Sequence, residues 1–188
     1  MAVSLFILGG ARSGKSRRAV TGVPPDGRIV FVATAEARDE AMARRIERHR
    51  AERPPHWRTI EEPLELAARL SQLEGTCDGV IVDCLTVWVS NRLLRGDSDD
   101  AILDEAAALA RLIARGRCSF TLVSNEVGSG VHPETAIGLR FRDLLGAVNQ
   151  RIAAACETVV LMVAGLPLTV KSATPVPRPS DDATVQAP

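Results

Sequence analysis

The segment Gly9–Ser16 reads GGARSGKS, and the architecture of the chain can be inferred outward from it. It matches G-x-x-x-x-G-K-S, the pattern of a phosphate-binding loop (P-loop), and it lies between an apolar run and a stretch that can be helical. Glycines let the backbone N–H groups of such a loop point inward at a phosphate chain. A glycine-rich turn with an exposed lysine is the alternative, but the order strand, loop and helix favours a phosphate site.

Two side chains of this loop carry chemistry. Lys15 is placed to reach the β- and γ-phosphates of a nucleotide, and the Ser16 hydroxyl is placed to bind Mg²⁺. Among 23 basic residues, only Lys15 and Lys171 are lysines. A chain so biased toward arginine still has lysine where a compact ammonium group is needed.

Short apolar runs alternate with helical patterns along the chain. The runs lie at 3–8, 29–33, 80–82, 120–123 and 159–163, and a short extra strand is predicted at 57–61. The helical patterns lie at about 38–52, 63–73, 85–94, 99–115 and 134–156. Because the apolar runs are continuous rather than alternating, they predict an α/β fold with a doubly wound, mostly parallel sheet and helices on both faces.

The composition limits the partners and the compartment. The net charge is +0 and aromatic residues make up 3%, so neither a nucleic-acid surface nor an acidic membrane surface is expected to be a partner. The cysteines Cys77, Cys84, Cys118 and Cys156 form no C-x-x-C pair, which argues against zinc and favours free thiols in a reducing cytoplasm. No apolar run approaches the length of a membrane helix, and no signal peptide is recognised.

Residues 172–188, SATPVPRPSDDATVQAP, are rich in proline and have little to bury. We therefore predict one domain over residues 1–171 and a disordered Pro-rich tail over 172–188. An extended arm docked on the body is the alternative.

Asp83 ends the apolar run at 79–83. In P-loop proteins the aspartate at the end of such a strand holds Mg²⁺. On its own Asp83 would be interpreted as a strand cap, but beside a P-loop the metal role is favoured. Because ligands bind beyond the carboxyl ends of parallel strands, Asp83 is expected close to Ser16.

His49 lies in an arginine-rich stretch, 39–53, that predicts a helix. Met42, Ile46 and His49 fall on one face of that helix. Spacing alone favours a histidine on a solvated basic face near a helix C-terminus. The functional alternative is a nucleophile, because neutral imidazole can attack phosphorus and arginines can neutralise the developing charge.

The segment Ser124–Gly130, SNEVGSG, follows an apolar run. Polar groups and glycines at the end of a strand fit a substrate loop, and an ordinary loop leading into a helix fits equally well.

These segments together resemble the bifunctional adenosylcobinamide kinase / adenosylcobinamide-phosphate guanylyltransferase family of cobalamin biosynthesis. The most specific of them is RIERHRAERPPHWRTIEEP at 45–63. The other matching stretches are GGARSGKSR at 9–17, VATAEARDE at 32–40, VDCLT at 82–86, SNEVGSGVHPE at 124–134 and FRDLLGAVNQRIAAAC at 141–156, followed by GLPLTVK. Together they span nearly all of residues 5–171.

The resemblance implies a RecA-like P-loop NTPase fold, a homotrimer and a cytoplasmic bifunctional transferase with Mg²⁺ as cofactor. The first reaction phosphorylates adenosylcobinamide, with ATP or GTP as substrate. The second transfers GMP from GTP to adenosylcobinamide phosphate through a guanylyl-histidine intermediate, and it yields adenosylcobinamide-GDP and pyrophosphate.

The resemblance also implies residue roles. His49 corresponds to the catalytic histidine that carries GMP. The metal-ligand roles of Ser16 and Asp83 stand on the P-loop pattern and the strand end described above. The implied nucleotide-binding residues are Gly9, Gly10, Ala11, Arg12, Ser13, Gly14, Lys15, Ser16, Ala33, Thr34, Ala35, Arg50, Ala51, Glu52, Arg53, Glu61 and Asp83. Either Glu61 or Glu62 could align with the family's nucleotide-binding glutamate in this part of the chain, and Glu61 is favoured.

From the residues alone, two other functions stay open. One is a P-loop small-molecule kinase without nucleotidyl transfer, which a GMP adduct on the protein would exclude. The other is a non-enzymatic nucleotide-binding module, which substrate-dependent phosphoryl transfer would exclude.

Overall fold

Strands and helices alternate along the whole described chain. The structure is a computed structural model that describes residues 2–37, 39–51, 53–130 and 132–172, so most of the predicted tail lies outside the described residues. In chain order the elements are β1 (Ser4–Gly9), α1 (Lys15–Thr21), β2 (Ile29–Ala33), α2 (Glu40–Ala51), β3 (Arg58–Glu61), α3 (Leu66–Ser71), β4 (Gly79–Asp83), α4 (Leu85–Arg95), α5 (Asp99–Ala114), β5 (Ser119–Val123), α6 (Ala136–Ala155), β6 (Thr158–Val163) and β7 (Leu166–Lys171).

In the part of the chain that the structure describes, seven strands form one sheet in the order β3-β2-β4-β5-β1-β6-β7. Strands β1 to β6 pair in parallel, which confirms the predicted mostly parallel sheet and the short strand near 57–61. Strand β7 runs antiparallel to β6 and was not predicted. It is exposed throughout, whereas the pattern used to find strands was that of covered ones.

A two-residue turn joins β6 to β7. Both turn residues have left-handed backbone angles, with φ of 50° at Ala164 and 86° at Gly165. Turns of this hand match the twist of the flanking strands, and they are the common connection in two-residue hairpins.

The inner strands β1, β2, β4 and β5 are covered on both faces, as predicted. Neighbouring residues of one strand point to opposite faces, so Phe6 and Val80 join the larger core cluster while Ile7 and Ile81 join the smaller one. The larger cluster is completed by α3, α4, α5 and α6, and the smaller one by Ala19 of α1. Each fully buried large apolar side chain stabilises the fold by about 2 kcal/mol relative to an exposed one.

The register brings four strand ends to one edge of the sheet. Asp83 of β4 is paired with Ala33 of β2 on one side and with Val123 of β5 on the other. Strand β5 separates β4 from β1, whose last residue is Gly9. Asp83 is therefore two strands away from the start of the P-loop rather than on its immediate neighbour. None of the helices in the described ranges is long and apolar enough to cross a membrane.

Candidate active site

A cavity of about 560 Å³ opens at the carboxyl edge of the sheet. Its walls come from the loop between β1 and α1, from the ends of β2, β4 and β5, and from α2. The lining residues are Ala11, Arg12, Ser13, Gly14, Lys15, Ser16, Arg17, Ala33, Ala35, Met42, Ile46, Arg48, His49, Arg53, Asp83, Cys84, Val87, Val123 and Asn125.

The loop between β1 and α1 is shaped by glycine. Gly14, just before α1, has a left-handed backbone with φ of 95°. A Cβ on Gly9 would lie 2.6 Å from the carbonyl oxygen of Met162, and also 2.6 Å from Ser13 Oγ. A larger residue at position 9 would therefore clash with the neighbouring strand β6 and with the loop itself.

The neighbouring segments hold this loop in place. The N–H of Gly165, in the β6–β7 turn, donates to the Ser13 carbonyl at 3.1 Å. The N–H of Glu126 donates to the Gly9 carbonyl at 3.2 Å. The unpredicted hairpin thus supports the predicted phosphate loop.

Lys15, the first residue of α1, is buried against this loop. Its Nζ donates to the Gly10 carbonyl at 2.6 Å, and the residue is only 8% exposed. The ammonium group therefore lies inside the curve of the loop, which is where the phosphate chain of a nucleotide is expected to bind.

Asp83 and Ser16 line the same cavity, as predicted from sequence. Within the described residues, no group of three or more His, Cys, Asp or Glu side chains is placed to hold a metal ion. A hydroxyl and a carboxylate are hard oxygen donors, and Mg²⁺ is commonly held by one or two such groups together with phosphate and water oxygens. The residues present therefore fit Mg²⁺ that arrives with a nucleotide.

Thr34 lies between two lining residues but is not itself part of the cavity lining. Its side chain is fully buried, where Oγ1 donates to the Cys84 carbonyl at 2.7 Å and accepts from the Cys84 N–H at 2.9 Å. Asn91 Nδ2 donates to the Thr34 carbonyl at 2.8 Å. Thr34 thus joins the end of β2 to the residue after Asp83, while Ala33 and Ala35 on either side of it line the cavity.

The face of α2 that carries Met42, Ile46 and His49 is turned toward the cavity. This confirms that the three side chains share a face, and His49 is half-buried rather than on the outer basic face. Arg48 lines the cavity as well.

Arg53, two residues beyond α2, is also a lining residue. Its guanidinium carbon lies 3.6 Å from the centroid of the Phe31 ring, and Nη1 donates to Thr59 Oγ1 at 3.3 Å. These contacts fix a positive charge beside the cavity.

The remaining predicted contacts lie elsewhere. Arg50 and Ala51 are exposed and outside the lining, and Glu52 lies outside the described residues. Glu61 is exposed at the end of β3. By contrast, the Glu62 carboxylate accepts hydrogen bonds from the N–H groups of Leu64 and Glu65, and from Arg69 Nε. Because these bonds engage the Glu62 carboxylate, Glu61 is the more available acid of the two.

The lining is strongly positive although the whole chain has no net charge. Its charged side chains, counting histidine apart, are Arg12, Lys15, Arg17, Arg48, Arg53 and Asp83. A cleft lined by one sign of charge attracts ligands of the other sign, so this cavity suits a polyphosphate.

Cys84 is a second potential nucleophile in the cavity. Burial and the neighbouring Asp83 carboxylate raise the pKa of its thiol to about 11. The thiol is therefore neutral near pH 7 and a poor nucleophile. The cavity chemistry thus favours His49 over Cys84 as an attacking group.

The Ser124–Gly130 loop contributes Asn125 to the lining. Two hydrogen bonds fix the backbone of Asn125. Its N–H donates to Thr86 Oγ1 at 2.6 Å, and its carbonyl accepts from Asn149 Nδ2 at 3.1 Å. The position of Asn125 in the cavity favours the substrate-loop interpretation. The sequence did not predict three of the lining residues as part of the site, because they lie in ordinary helix and strand patterns. These are Arg17, Val87 and Val123.

A hollow of about 600 Å³ lies on the outer face of α5 and is lined by Ala108, Arg111, Ala114 and Arg115. None of these four lining residues is a nucleophile, a carboxylate or a hydroxyl. The cavity at the carboxyl edge of the sheet is therefore the better candidate for catalysis.

Comparison with known proteins identifies the family of this chain. The profile of the family described as cobinamide kinase / cobinamide phosphate guanyltransferase matches residues 5–170. The chain belongs to this family. The match includes both the P-loop and the His49 segment, which are the two parts that the cavity brings together.

Curated relatives support membership of the cobinamide kinase / guanyltransferase family over most of their length. The bifunctional adenosylcobalamin biosynthesis protein CobP of Pseudomonas aeruginosa is 48% identical over 169 residues, which cover 88% of this chain and 96% of that protein. The bifunctional adenosylcobalamin biosynthesis proteins CobU of Salmonella typhimurium and Escherichia coli are each 37% identical over 179 residues, covering 89% of this chain and 99% of each relative.

Among solved structures, an ATPase from the type III secretion system of pathogenic bacteria matches with a TM-score of 0.51 and 12% identity. The match covers 89% of this chain and 56% of that chain. At this identity the likeness shows the fold alone, and it is consistent with the predicted RecA-like P-loop fold.

Proposed function

We propose that this chain catalyses two successive reactions in cobalamin biosynthesis. It phosphorylates adenosylcobinamide with ATP or GTP, and it then transfers GMP from GTP to adenosylcobinamide phosphate. The observation that carries the proposal is that His49 of α2 lines the same positively charged cavity as Lys15 of the P-loop. A simple kinase needs the P-loop but has no need of a histidine beside it.

In the kinase step, the chain's contribution is positioning and charge neutralisation. The P-loop backbone and Lys15 hold the β- and γ-phosphates, and Arg48 and Arg53 face the same space. The substrate hydroxyl attacks the γ-phosphorus and gives up its proton, the bond between that phosphorus and the bridging oxygen breaks, and the nucleoside diphosphate leaves.

In the second reaction, His49 divides the transfer into two displacements. A ring nitrogen of His49 attacks the α-phosphorus of GTP, a nitrogen–phosphorus bond forms, and pyrophosphate leaves. The phosphate of adenosylcobinamide phosphate then attacks the same phosphorus, the nitrogen–phosphorus bond breaks, and the imidazole is regenerated. The cationic lining is suited to the charge that develops on the phosphoryl oxygens.

Ser16 and Asp83 are the residues that would hold Mg²⁺. The ion would neutralise phosphate charge and orient the nucleotide. For the other predicted nucleotide contacts, we propose that Gly9–Ser16, Ala33 and Ala35 approach the nucleotide directly, and that Thr34 acts by positioning its neighbours. We propose Arg50–Arg53 and Glu61 as contacts that form when nucleotide binds.

We also propose that the chain forms a cytoplasmic homotrimer. The four cysteines are free, which fits a reducing compartment. Leu166, Leu168 and Val170 of the edge strand β7 are exposed, and this apolar stripe is suited to contact with another subunit.

Product analysis tests the proposed function. The purified full chain, incubated with adenosylcobinamide, GTP and Mg²⁺, is expected to form adenosylcobinamide phosphate first, and then adenosylcobinamide-GDP with one pyrophosphate per product. Chromatography with mass detection separates these compounds. Phosphorylated product alone would identify a simple kinase, and nucleotide binding without any product would identify a binding module.

Replacing Asp83 by Asn is expected to weaken the Mg²⁺ dependence of both reactions. The substitution keeps the shape of the side chain and removes the charge, so the Mg²⁺ concentration for half-maximal activity should rise by roughly 10- to 100-fold. A Mg²⁺ titration of initial rates measures this shift. Asp78→Asn is a matched control, because Asp78 precedes β4 at the opposite edge of the sheet and pairs with Arg28. Identical titration curves for Asp83→Asn and Asp78→Asn would show that Asp83 does not bind Mg²⁺ and only caps the strand.

A further inference from the structure

Two cysteines meet at the edge of the sheet opposite the cavity. Cys118 directly precedes β5, and Cys77 lies two residues before β4. The first residues of these neighbouring strands, Gly79 and Ser119, are paired in register, which brings the two cysteines together. Their sulfur atoms are 3.7 Å apart.

Both thiols are nearly buried, and one of them has a route to solvent. Cys77 is 8% exposed and Cys118 is 5% exposed. Cys118 also lines a small hollow of about 70 Å³ between the N-terminal end of β1 and the end of α5, with Ala2 and Gly116 among its walls. A space of this size admits a molecule as small as water or hydrogen peroxide.

The contact between the thiols also activates one of them. The hydrogen bond from the Cys118 thiol stabilises a thiolate on Cys77 and lowers the pKa of Cys77 to about 7. By contrast, burial raises the pKa of Cys156 to about 12. Cys77 is therefore more reactive than the remote buried cysteine, while its partner Cys118 has a raised pKa because of the same contact and burial.

The geometry is close to that of a cross-link. A disulfide needs a sulfur–sulfur distance of about 2.05 Å, so the two sulfurs must approach each other by about 1.7 Å. Cys77 and Asp78 lie between α3 and β4 rather than within a strand, and this connection can supply part of that movement.

We propose that Cys77 and Cys118 form an oxidative modification site, at which a peroxide joins β4 to β5 through a reversible disulfide. One thiol attacks the peroxide, becomes a sulfenic acid and releases one molecule of water from hydrogen peroxide. The second thiol attacks that sulfur, the S–S bond forms, and the hydroxyl leaves as a second water. The two thiols lose two hydrogens and two electrons in total, and the peroxide gains them.

The cross-link would act on stability rather than on the cavity. It would span a sequence separation of 41 residues, which restricts the unfolded chain. The lower entropy of the cross-linked unfolded chain stabilises the folded state, and strain in the disulfide offsets part of this gain. The melting temperature is therefore expected to rise by roughly 5–10 °C. Asp83 and Asn125 lie at the other ends of β4 and β5, so both reactions should continue in the oxidised protein.

Intact-mass analysis and peptide mapping test the modification site. The folded full chain, treated with hydrogen peroxide, is expected to lose about 2 Da. A thiol-blocking reagent added after the mass measurement prevents exchange during digestion, and the digest is expected to yield one peptide pair linked through Cys77 and Cys118. Dithiothreitol should restore the original mass and the original melting temperature.

Single substitutions separate this pair from the other cysteines. Cys118→Ser and Cys77→Ser should each abolish the mass loss, while Cys156→Ser, which changes a buried cysteine outside the pair, should keep it. The proposal is overturned if the wild-type chain forms no linked peptide, if the link maps to another pair, or if the mass loss persists in Cys118→Ser. Because the peptide map uses wild-type protein, it decides the matter even if a serine variant does not fold.

Discussion

Replacing Lys15 by Ala is expected to abolish both reactions and to weaken GTP binding by roughly 100-fold or more. Lys15 supplies a buried positive charge inside the curve of the P-loop, whereas Arg12, the other cation of this loop in the lining, is exposed. In the described structure the ammonium donates to the Gly10 carbonyl, so the loss of that bond costs about 1 kcal/mol of stability. Calorimetric titration with GTP measures the affinity, and a thermal melt confirms that the fold is kept.

Lys171 provides a matched control, because it is the other lysine of the chain. Its Nζ also donates to backbone carbonyls, those of Ala153 and Ala154 at the end of α6, and it is exposed on β7 rather than in the cavity. Lys171→Ala should therefore keep wild-type affinity for GTP. If Lys15→Ala also bound GTP as the wild type does, the P-loop would not be the nucleotide site.

The parts of the site that the sequence predicted well are those set by local pattern. A P-loop motif requires a strand before it and a helix after it, and β1 and α1 stand in those places. Asp83 ends a continuous apolar strand, and the carboxyl ends of parallel strands meet at one edge. Both features follow from short stretches of sequence, so they could be predicted without knowing how the strands are ordered.

The order of the strands could not be predicted in this way. Strand β5 lies between β1 and β4, although some 35 residues, including α4 and α5, separate it from β4 along the chain. Which strands become neighbours depends on how the helices pack over the sheet, and the helix pattern shows only that a face is apolar. The sequence therefore predicted that Asp83 and Ser16 share a site, but not that β5 lies between their strands.

Thr34 shows a second limit. The resemblance to the family implied that Thr34 contacts nucleotide, and the alanines on either side of it line the cavity, but alternate residues at a strand end point in opposite directions. Its hydroxyl is bonded to both backbone groups of Cys84. Only the pairing of β2 with β4 reveals this role, and that pairing joins residues 50 apart in sequence.

The role of His49 could be predicted only in part from the sequence. Its spacing from Met42 and Ile46 predicted a shared face, and the structure confirms that face. Spacing alone could not say whether the face packs on the protein body or lines a cavity, because both uses place apolar residues at the same intervals. The charge of the surrounding lining decides between them, since five cations around one carboxylate suit a phosphate ligand better than a packed core.

Replacing His49 by Ala is expected to abolish guanylyl transfer, with a loss of roughly 1,000-fold or more, because the covalent carrier is removed. The kinase reaction should fall far less, since direct phosphoryl transfer needs no covalent intermediate. The measurement uses GTP labelled at the α-phosphate, which should label the wild-type chain in the presence of Mg²⁺. A bond between imidazole nitrogen and phosphorus is labile in acid and stable in alkali, so acid should release the label and alkali should spare it.

His56→Ala is the control for this substitution. His56 is exposed, its Nε2 contacts the Pro25 carbonyl at 2.9 Å, and it is outside the cavity lining. The His56→Ala chain should therefore take up the label as the wild type does. If the His49→Ala chain still took up label from GTP, the nucleophile would be another residue, and His49 would only contribute to the basic wall of the cavity. If His49→Ala lost the label but kept full guanylyl transfer, GMP would pass directly from GTP to the corrinoid phosphate, and the two-displacement mechanism would be wrong while the P-loop site would stand.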